Sequence, residues 1–323
     1  MNLVSDKNIL LEPKKQLSLY GYEHYFDLFV KLFNSNSLPN SILLSGPKGL
    51  GKATFAYHFI NYLLSRGEKD KYSLTDLTIN ENNQSYNLVL NNIHNNFFLI
   101  DKINEDEIIK IEQIRSLIKF LNKTTYNKDL KIVFIDNSNC LNLNSVNALL
   151  KSLEEPKKNT FFFILNNDQN RLPETITSRS INFRFHFTAS NKKIIFSKLI
   201  NQHNMQDDLS SYDKFLYFDT PGNLLKDSLI LKNNNLNFSD SNLSIIMYLI
   251  NIYKTKTSSE ILNIIIKFIE LFYRDLSLKN ITNSNYYCFK KNKLLNLIND
   301  MKKFNLDKKN ILTSVNIILA SEK

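Results

Sequence analysis

The chain has few of the residues that build covalent or metal frameworks: two cysteines, six glycines, six prolines and no tryptophan in 323 residues. Cys140 and Cys288 are too few for a disulfide scaffold or a four-cysteine zinc site within the chain. The five histidines are scattered and form no HxH or HxxxH pair. We therefore expect no metal centre and no bound zinc.

Long apolar runs are missing as well. The longest apolar stretch, from Leu243 to Tyr253, carries Asn251 and is about half as long as a membrane span. The first sixteen residues lack the apolar segment of a signal peptide. We therefore expect a cytoplasmic protein with no membrane partner.

The composition is that of an ordinary globular chain, with 43% apolar and 22% charged residues, and its length suggests roughly two domains. Lys and Arg outnumber Asp and Glu by 41 to 31, giving a net charge of +10. This excess suits an acidic partner such as nucleic acid. The abundance of Asn, Lys and Ile is equally typical of AT-rich coding DNA, and both explanations stay open.

Short apolar runs alternate with helical periodicity between residues 40 and 165. Four runs have the length of buried strands, at 41–45, 97–100, 131–135 and 160–165. Buried strands that alternate with helices predict an α/β fold with a parallel sheet covered on both faces. The polar, Asn-rich segment 67–96 predicts a surface excursion. After residue 188 the apolar spacing predicts helices only, with a loop over 232–242.

A glycine-rich segment lies between the first strand and the helix that follows it. Gly46, Gly49 and Gly51 with Lys52 match the G-x-x-x-x-G-K spacing of a P-loop. In such a loop the backbone N–H groups surround phosphate oxygens, and the lysine reaches the outer phosphates. We expect these residues to bind ATP or ADP; the alternative is an ordinary glycine turn.

The residues for hydrolysis depart from this pattern. Ala53 follows Lys52 where a hydroxyl would hold Mg²⁺, and Thr54 comes one position late, about 100° further round the helix. Asp136 ends the third strand and suits Mg²⁺ binding, although it also suits a turn cap. Asn137 follows where a general base is needed and cannot accept a proton. These departures predict a poor ATPase.

Two further segments resemble the signature boxes of bacterial clamp-loader subunits, which are AAA+ proteins. They are Asn147–Lys151 with Leu153–Pro156, and Leu172–Ser180, where Ser180 replaces the usual cysteine. The P-loop region is most similar to that of the delta prime subunits of DNA polymerase III. The resemblance covers about residues 18–185, and only length and helical character extend it further.

The resemblance implies three parts: a AAA+ P-loop domain over 1–187, a small helical lid over 188–230 and a helical collar over 231–323. It implies a largely non-hydrolysing member of a hetero-pentameric ring with the delta and gamma/tau subunits. That ring belongs to the DNA polymerase III holoenzyme and loads the sliding clamp onto primed DNA. Any ATP or ADP would be held weakly, in a structural role.

By the same resemblance Arg179 is a catalytic residue in trans, supplied to the ATP of a neighbouring subunit. A guanidinium placed in this way neutralises charge that develops on the γ-phosphate. The simpler interpretation is a surface arginine at a helix end.

Other positions fit the resemblance less specifically. Asn166 and Asn167 lie at the first sensor position, or close a turn. Thr220–Leu225 lies where a second-sensor helix would begin, without its arginine. The segment Tyr20–Tyr22 borders adenine or belongs to the core. The segment 67–96 lacks the cysteines of the zinc module that many relatives carry there.

Two competing functions stay open. One is a gamma/tau-type clamp-loader ATPase, which Ala53 and Asn137 oppose. The other is a P-loop motor of branch migration or recombination, which the two signature boxes oppose.

Overall fold

The computed structural model describes residues 12–102, 108–123, 130–167, 172–203, 205 and 212–320. The expectation of no signal peptide concerns the first sixteen residues, and of these residues 1–11 lie outside the described part of the chain. The chain divides into two compact units, Met1–Leu225 and Lys226–Lys323. The division into a P-loop domain, lid and collar at residues 187 and 230 stays a prediction.

The first unit contains a five-stranded sheet in the order β2-β3-β4-β1-β5, and every pairing is parallel. The α/β fold with a parallel sheet is thereby confirmed, and β5 is an addition to the four predicted strands. The strands are β1 Ser41–Gly46, β2 Phe97–Ile100, β3 Lys131–Ile135, β4 Thr160–Asn167 and β5 Ile181–Arg184.

Nine α-helices lie between Glu23 and Asn233 in the described residues. They are α1 Glu23–Asn34, α2 Lys52–Leu64, α3 Gln84–Leu90, α4 Ile111–Asn122, α5 Leu143–Glu154, α6 Glu174–Thr177, α7 Ala189–Gln202, α8 Asp213–Phe218 and α9 Pro221–Asn233.

The sheet buries both faces. In β1, Ile42 and Leu44 enter a first core, which α1 and α2 line with aromatic side chains, whereas Leu43 enters a second core lined by α4 and α5. This alternation follows from the two-residue period of a strand. Double-sided burial explains why the central strands are continuous apolar runs in the sequence.

The segment 67–96 is not the surface excursion that its polar sequence predicts. Tyr72, Leu77, Ile79 and Val89 are buried in the first core. Asn83 is also buried, because its side chain accepts from Tyr86 N as the cap of α3 and donates to the Asp70 carbonyl. Apolar anchors and satisfied amides therefore fix this segment against α2.

In its described residues the second unit consists of helices and the loops that connect them, as predicted. Its helices α10 to α13 pack as neighbouring pairs around buried Ile, Leu and Phe side chains. They span Asn242–Thr255, Ser259–Lys279, Ser284–Lys303 and Lys308–Ala320. The loop predicted over 232–242 is confirmed between Asn233 and Asn242. Across the described residues, each helix is too short or too polar to span a bilayer.

Candidate functional site

The carboxyl ends of the parallel strands bring the predicted nucleotide residues together. Gly46 at the end of β1 pairs with Asn167 at the end of β4. Ile100 and Ile135 pair at the ends of β2 and β3, so Asp101 and Asp136 follow side by side. Ligands of open α/β sheets bind at this edge.

The predicted P-loop, Gly46–Lys52, forms a tight loop that we term the cradle. Gly46, Gly49 and Gly51 have φ angles of 143°, 82° and 91°, which L side chains rarely adopt. Lys52 is the first residue of α2. The strand, loop and helix follow one another as the sequence predicts.

The Lys52 ammonium is buried, with 4% of the residue exposed. Its Nζ donates to the carbonyls of Gly46 at 2.6 Å and Pro47 at 2.8 Å, and to Asn167 Oδ1 at 2.9 Å. The structure thus joins the P-loop lysine to the predicted sensor position. A phosphate would have to compete with the loop's own carbonyl oxygens for this ammonium.

The magnesium position has no hydroxyl next to Lys52. The methyl group of Ala53 packs against the first core, and Thr54 lies a further 100° around α2. Impaired magnesium binding at this position stays a prediction.

The two acids that follow β2 and β3, Asp101 and Asp136, interact electrostatically and share Asn137 as a hydrogen-bond donor. Burial, and then the nearby Asp101 carboxylate, raise the pKa of Asp136 to about 6, while Lys52 opposes the shift. Asn137, at φ 50°, donates its backbone N–H to Asp136 at 2.7 Å and its Nδ2 to Asp101 at 2.8 Å. Asn137 therefore organises the acids and supplies no proton acceptor for water.

The start of α9 lies directly on the cradle. Thr220 Oγ1 and Asn223 Nδ2 donate to the Lys48 carbonyl at 2.8 and 3.2 Å, and Gly222 N donates to the Gly49 carbonyl at 3.0 Å. We term Thr220, Gly222 and Asn223 the latch. A Cβ at Gly49 would collide with two latch side chains, so this side of the loop is closed.

Tyr22 belongs to the aromatic core. It is 1% exposed, and its ring lies 5.0–5.1 Å from the rings of Phe55, Phe185 and Phe187. Its hydroxyl donates to the Leu50 carbonyl at 3.1 Å. The structure therefore favours the core interpretation of this segment and ties the cradle to the core.

Arg179 lies at the opposite edge of the sheet. Its neighbour Ser180 contacts Ser41, the first residue of β1, at 2.8 Å between the hydroxyl oxygens, whereas the cradle begins at the last residue of β1, Gly46. At about 3.3 Å per residue, β1 separates Arg179 from its own cradle by roughly 17 Å. An arginine side chain cannot span that distance, so Arg179 cannot serve the nucleotide site of its own chain.

The Arg179 side chain is 32% exposed and paired with Glu154, the last residue of α5. Nε and Nη2 both donate to Glu154 Oε1, at 2.6 and 2.5 Å, and Nη1 donates to the Thr175 carbonyl at 3.0 Å. This ion pair joins the two signature boxes that the sequence analysis singled out.

A family model described as DNA polymerase III, delta subunit, matches residues 21–189. The chain belongs to this family. The matched residues include the cradle, Asp136 and both signature boxes, and they contain all five described strands.

Curated relatives agree with this assignment. The chain is 29% identical over 142 residues to DNA polymerase III subunit delta' of Pseudomonas aeruginosa, covering 44% of this chain and 42% of the relative. It is 25% identical over 236 residues to subunit gamma of Buchnera aphidicola from Schizaphis graminum, covering 71% and 62%. The chain thus spans less than two thirds of either relative's length.

A solved structure, the DNA polymerase III gamma subunit-related protein of Thermotoga maritima, superimposes with a TM-score of 0.44 at 17% identity. The superposition covers 90% of this chain and 97% of that one.

Three features of this chain were not predicted from its sequence: Asp101, the Glu154–Arg179 pair and the latch. Asp101 could have been found, because it follows an apolar strand as Asp136 does. The pairing of Glu154 with Arg179 and the latch on Lys48 join residues far apart in sequence, and no local pattern signals them. The roles predicted for the cradle residues, Asn167 and Arg179 stay predictions.

Proposed function

We propose that this chain is a delta prime-type subunit of the DNA polymerase III clamp loader. It would sit in a hetero-pentameric cytoplasmic ring with delta and gamma/tau subunits and help to load the sliding clamp onto primed DNA. The family match and the two signature boxes support this assignment.

The observation that carries the proposal is the position of Arg179. Its guanidinium is solvent-accessible at the amino edge of the sheet, opposite its own cradle. A group so placed can reach a phosphate only in another subunit. A guanidinium supplied in trans stabilises the charge of the transferring phosphoryl group and contributes about 10³–10⁵ in rate.

The cradle supports a positioning role without turnover. Lys52 is bonded within its own loop, Ala53 offers no magnesium ligand, and Asn137 cannot act as a base. Glycines at positive φ and a lysine still suit phosphate oxygens. Any ATP or ADP bound here would be structural and weakly held.

The test is a reconstituted loader with primed DNA and clamp, carrying wild-type, Arg179→Ala or Arg115→Ala protein. Arg115 is an exposed arginine on α4 and serves as the matched control. In single-turnover phosphate release, Arg179→Ala should move one site's share of the fast phase to a rate slower by about 10³-fold or more. An unchanged fast phase would refute the role in trans.

The gamma/tau-type alternative is tested on the chain alone. We expect no ATP turnover by the isolated wild-type protein. Turnover that disappears in Lys52→Ala would show that the chain is itself an ATPase.

A further inference from the structure

We propose that Glu154 is a positioning residue, which orients the Arg179 guanidinium toward the neighbouring subunit's ATP; this inference rests on the proposed function. One carboxylate oxygen of Glu154 accepts from both Nε and Nη2 of Arg179, at 2.6 and 2.5 Å. Nε and Nη2 form one edge of the guanidinium, and two hydrogen bonds from this edge to Glu154 fix the plane of the group.

The opposite side of the guanidinium is also held. Nη1 donates to the Thr175 carbonyl at 3.0 Å and lies 3.3 Å from Ser178 Oγ. Among the described contacts, these bonds leave the second N–H of Nη2 for an outside acceptor, since the guanidinium has five N–H groups. Arg179 therefore points one donor outward in a defined direction.

The two supports of this geometry are themselves rigid. Leu153 precedes Glu154 and is buried in the second core, as is Ile176 of α6 beside Thr175. Helices α5 and α6 also pack against each other. The carboxylate and the carbonyl that hold Arg179 thus move together with the core.

The pair is better explained by positioning than by stability. Both side chains are partly exposed, at 32% for Arg179 and 46% for Glu154, and exposed ion pairs add little to folding. Misplacement of a catalytic group by about 1 Å can cost on the order of 100-fold in rate. Loss of Glu154 should therefore affect the neighbour's hydrolysis far more than the fold.

The experiment uses the reconstituted loader and measures the neighbouring site's single-turnover rate and its ATP concentration dependence. Glu154→Ala should slow that site by about 10–100-fold at unchanged ATP affinity. Glu154→Gln keeps an acceptor oxygen for Nε and should stay within about threefold of wild type. Glu155→Ala removes the adjacent exposed charge and should have no effect.

The double variant Glu154→Ala with Arg179→Ala decides how Glu154 acts. If Glu154 works through Arg179, the double variant is no slower than Arg179→Ala alone. Two results would overturn the positioning role and leave the proposed function standing. One is that Glu154→Ala slows the wild type and Arg179→Ala by the same factor. The other is that Glu154→Ala keeps the wild-type rate while Arg179→Ala is slow. A wild-type rate for Arg179→Ala refutes the proposed function itself.

Discussion

The latch on the cradle can be tested by adding a single methyl group. Gly222 is the second residue of α9, and a Cβ there would lie 2.6 Å from the Gly49 carbonyl oxygen. In an unconstrained helix Gly→Ala stabilises by about 1 kcal/mol. At this position we expect Gly222→Ala to destabilise the protein.

The magnitude follows from the contacts that the methyl group displaces. The Cβ needs at least the 3.4 Å of ordinary contact, so the start of α9 must move away from the loop. That movement stretches the three bonds from the latch, now 2.8–3.2 Å long. At about 0.5–1.5 kcal/mol for each of the three hydrogen bonds, and after the helical gain of about 1 kcal/mol, the net loss of stability is roughly 0.5–3.5 kcal/mol.

Amide hydrogen exchange of the full chain is the deciding assay, because a chain of two units need not unfold in one step. The amides of residues 222 and 224, which donate to the Gly49 and Thr220 carbonyls, should exchange roughly tenfold faster for each 1.4 kcal/mol lost. The control is Gly67→Ala, where a Cβ meets nothing within 4 Å. Equal exchange in the two variants would refute the latch.

Two further predictions concern pH. Burial lowers the pKa of His58 to about 4, whereas the pKa of histidine in an unfolded chain is about 6.5. The unfolded state therefore binds a proton that the folded state does not, and about 3 kcal/mol of stability should be lost as the pH falls from 6.5 to 4. In urea unfolding, the stability of His58→Gln should lack this dependence on pH. The pKa of Asp136 is raised from 3.8 to about 6, so the cost of ionising it in the folded state develops as the pH rises from about 4 to 6. Asp136→Asn should therefore gain about 3 kcal/mol at pH 7 and nothing at pH 3.5. Equal gains at both pH values would contradict this.

The central strands could be predicted because a strand buried on both faces leaves a continuous apolar run. Strand β5 lacks that signal: Ile181 and Arg184 are exposed, and the strand lies at the sheet edge. Its pairing with β1 depends on tertiary contact, which a local pattern does not encode.

The prediction of a surface excursion for the Asn-rich segment 67–96 was wrong for a related reason. Composition suggests exposure, yet Asn83 is buried with its amide donating to one carbonyl and its oxygen capping α3. A buried polar side chain is stable when its hydrogen bonds are made. The fold decides whether a buried Asn side chain finds hydrogen-bond partners, and the presence of Asn residues in the sequence does not show this.

The parallel sheet separates the two sites that the proposed function assigns to this chain. All strands run the same way, so the groups for binding and hydrolysing a nucleotide collect at the carboxyl edge, whereas Arg179 and Glu154 lie at the amino edge. A strand length separates them. Ala53 at the predicted magnesium position therefore leaves the contacts of Arg179 intact, and under the proposed function the chain would complete its neighbour's site without using ATP of its own.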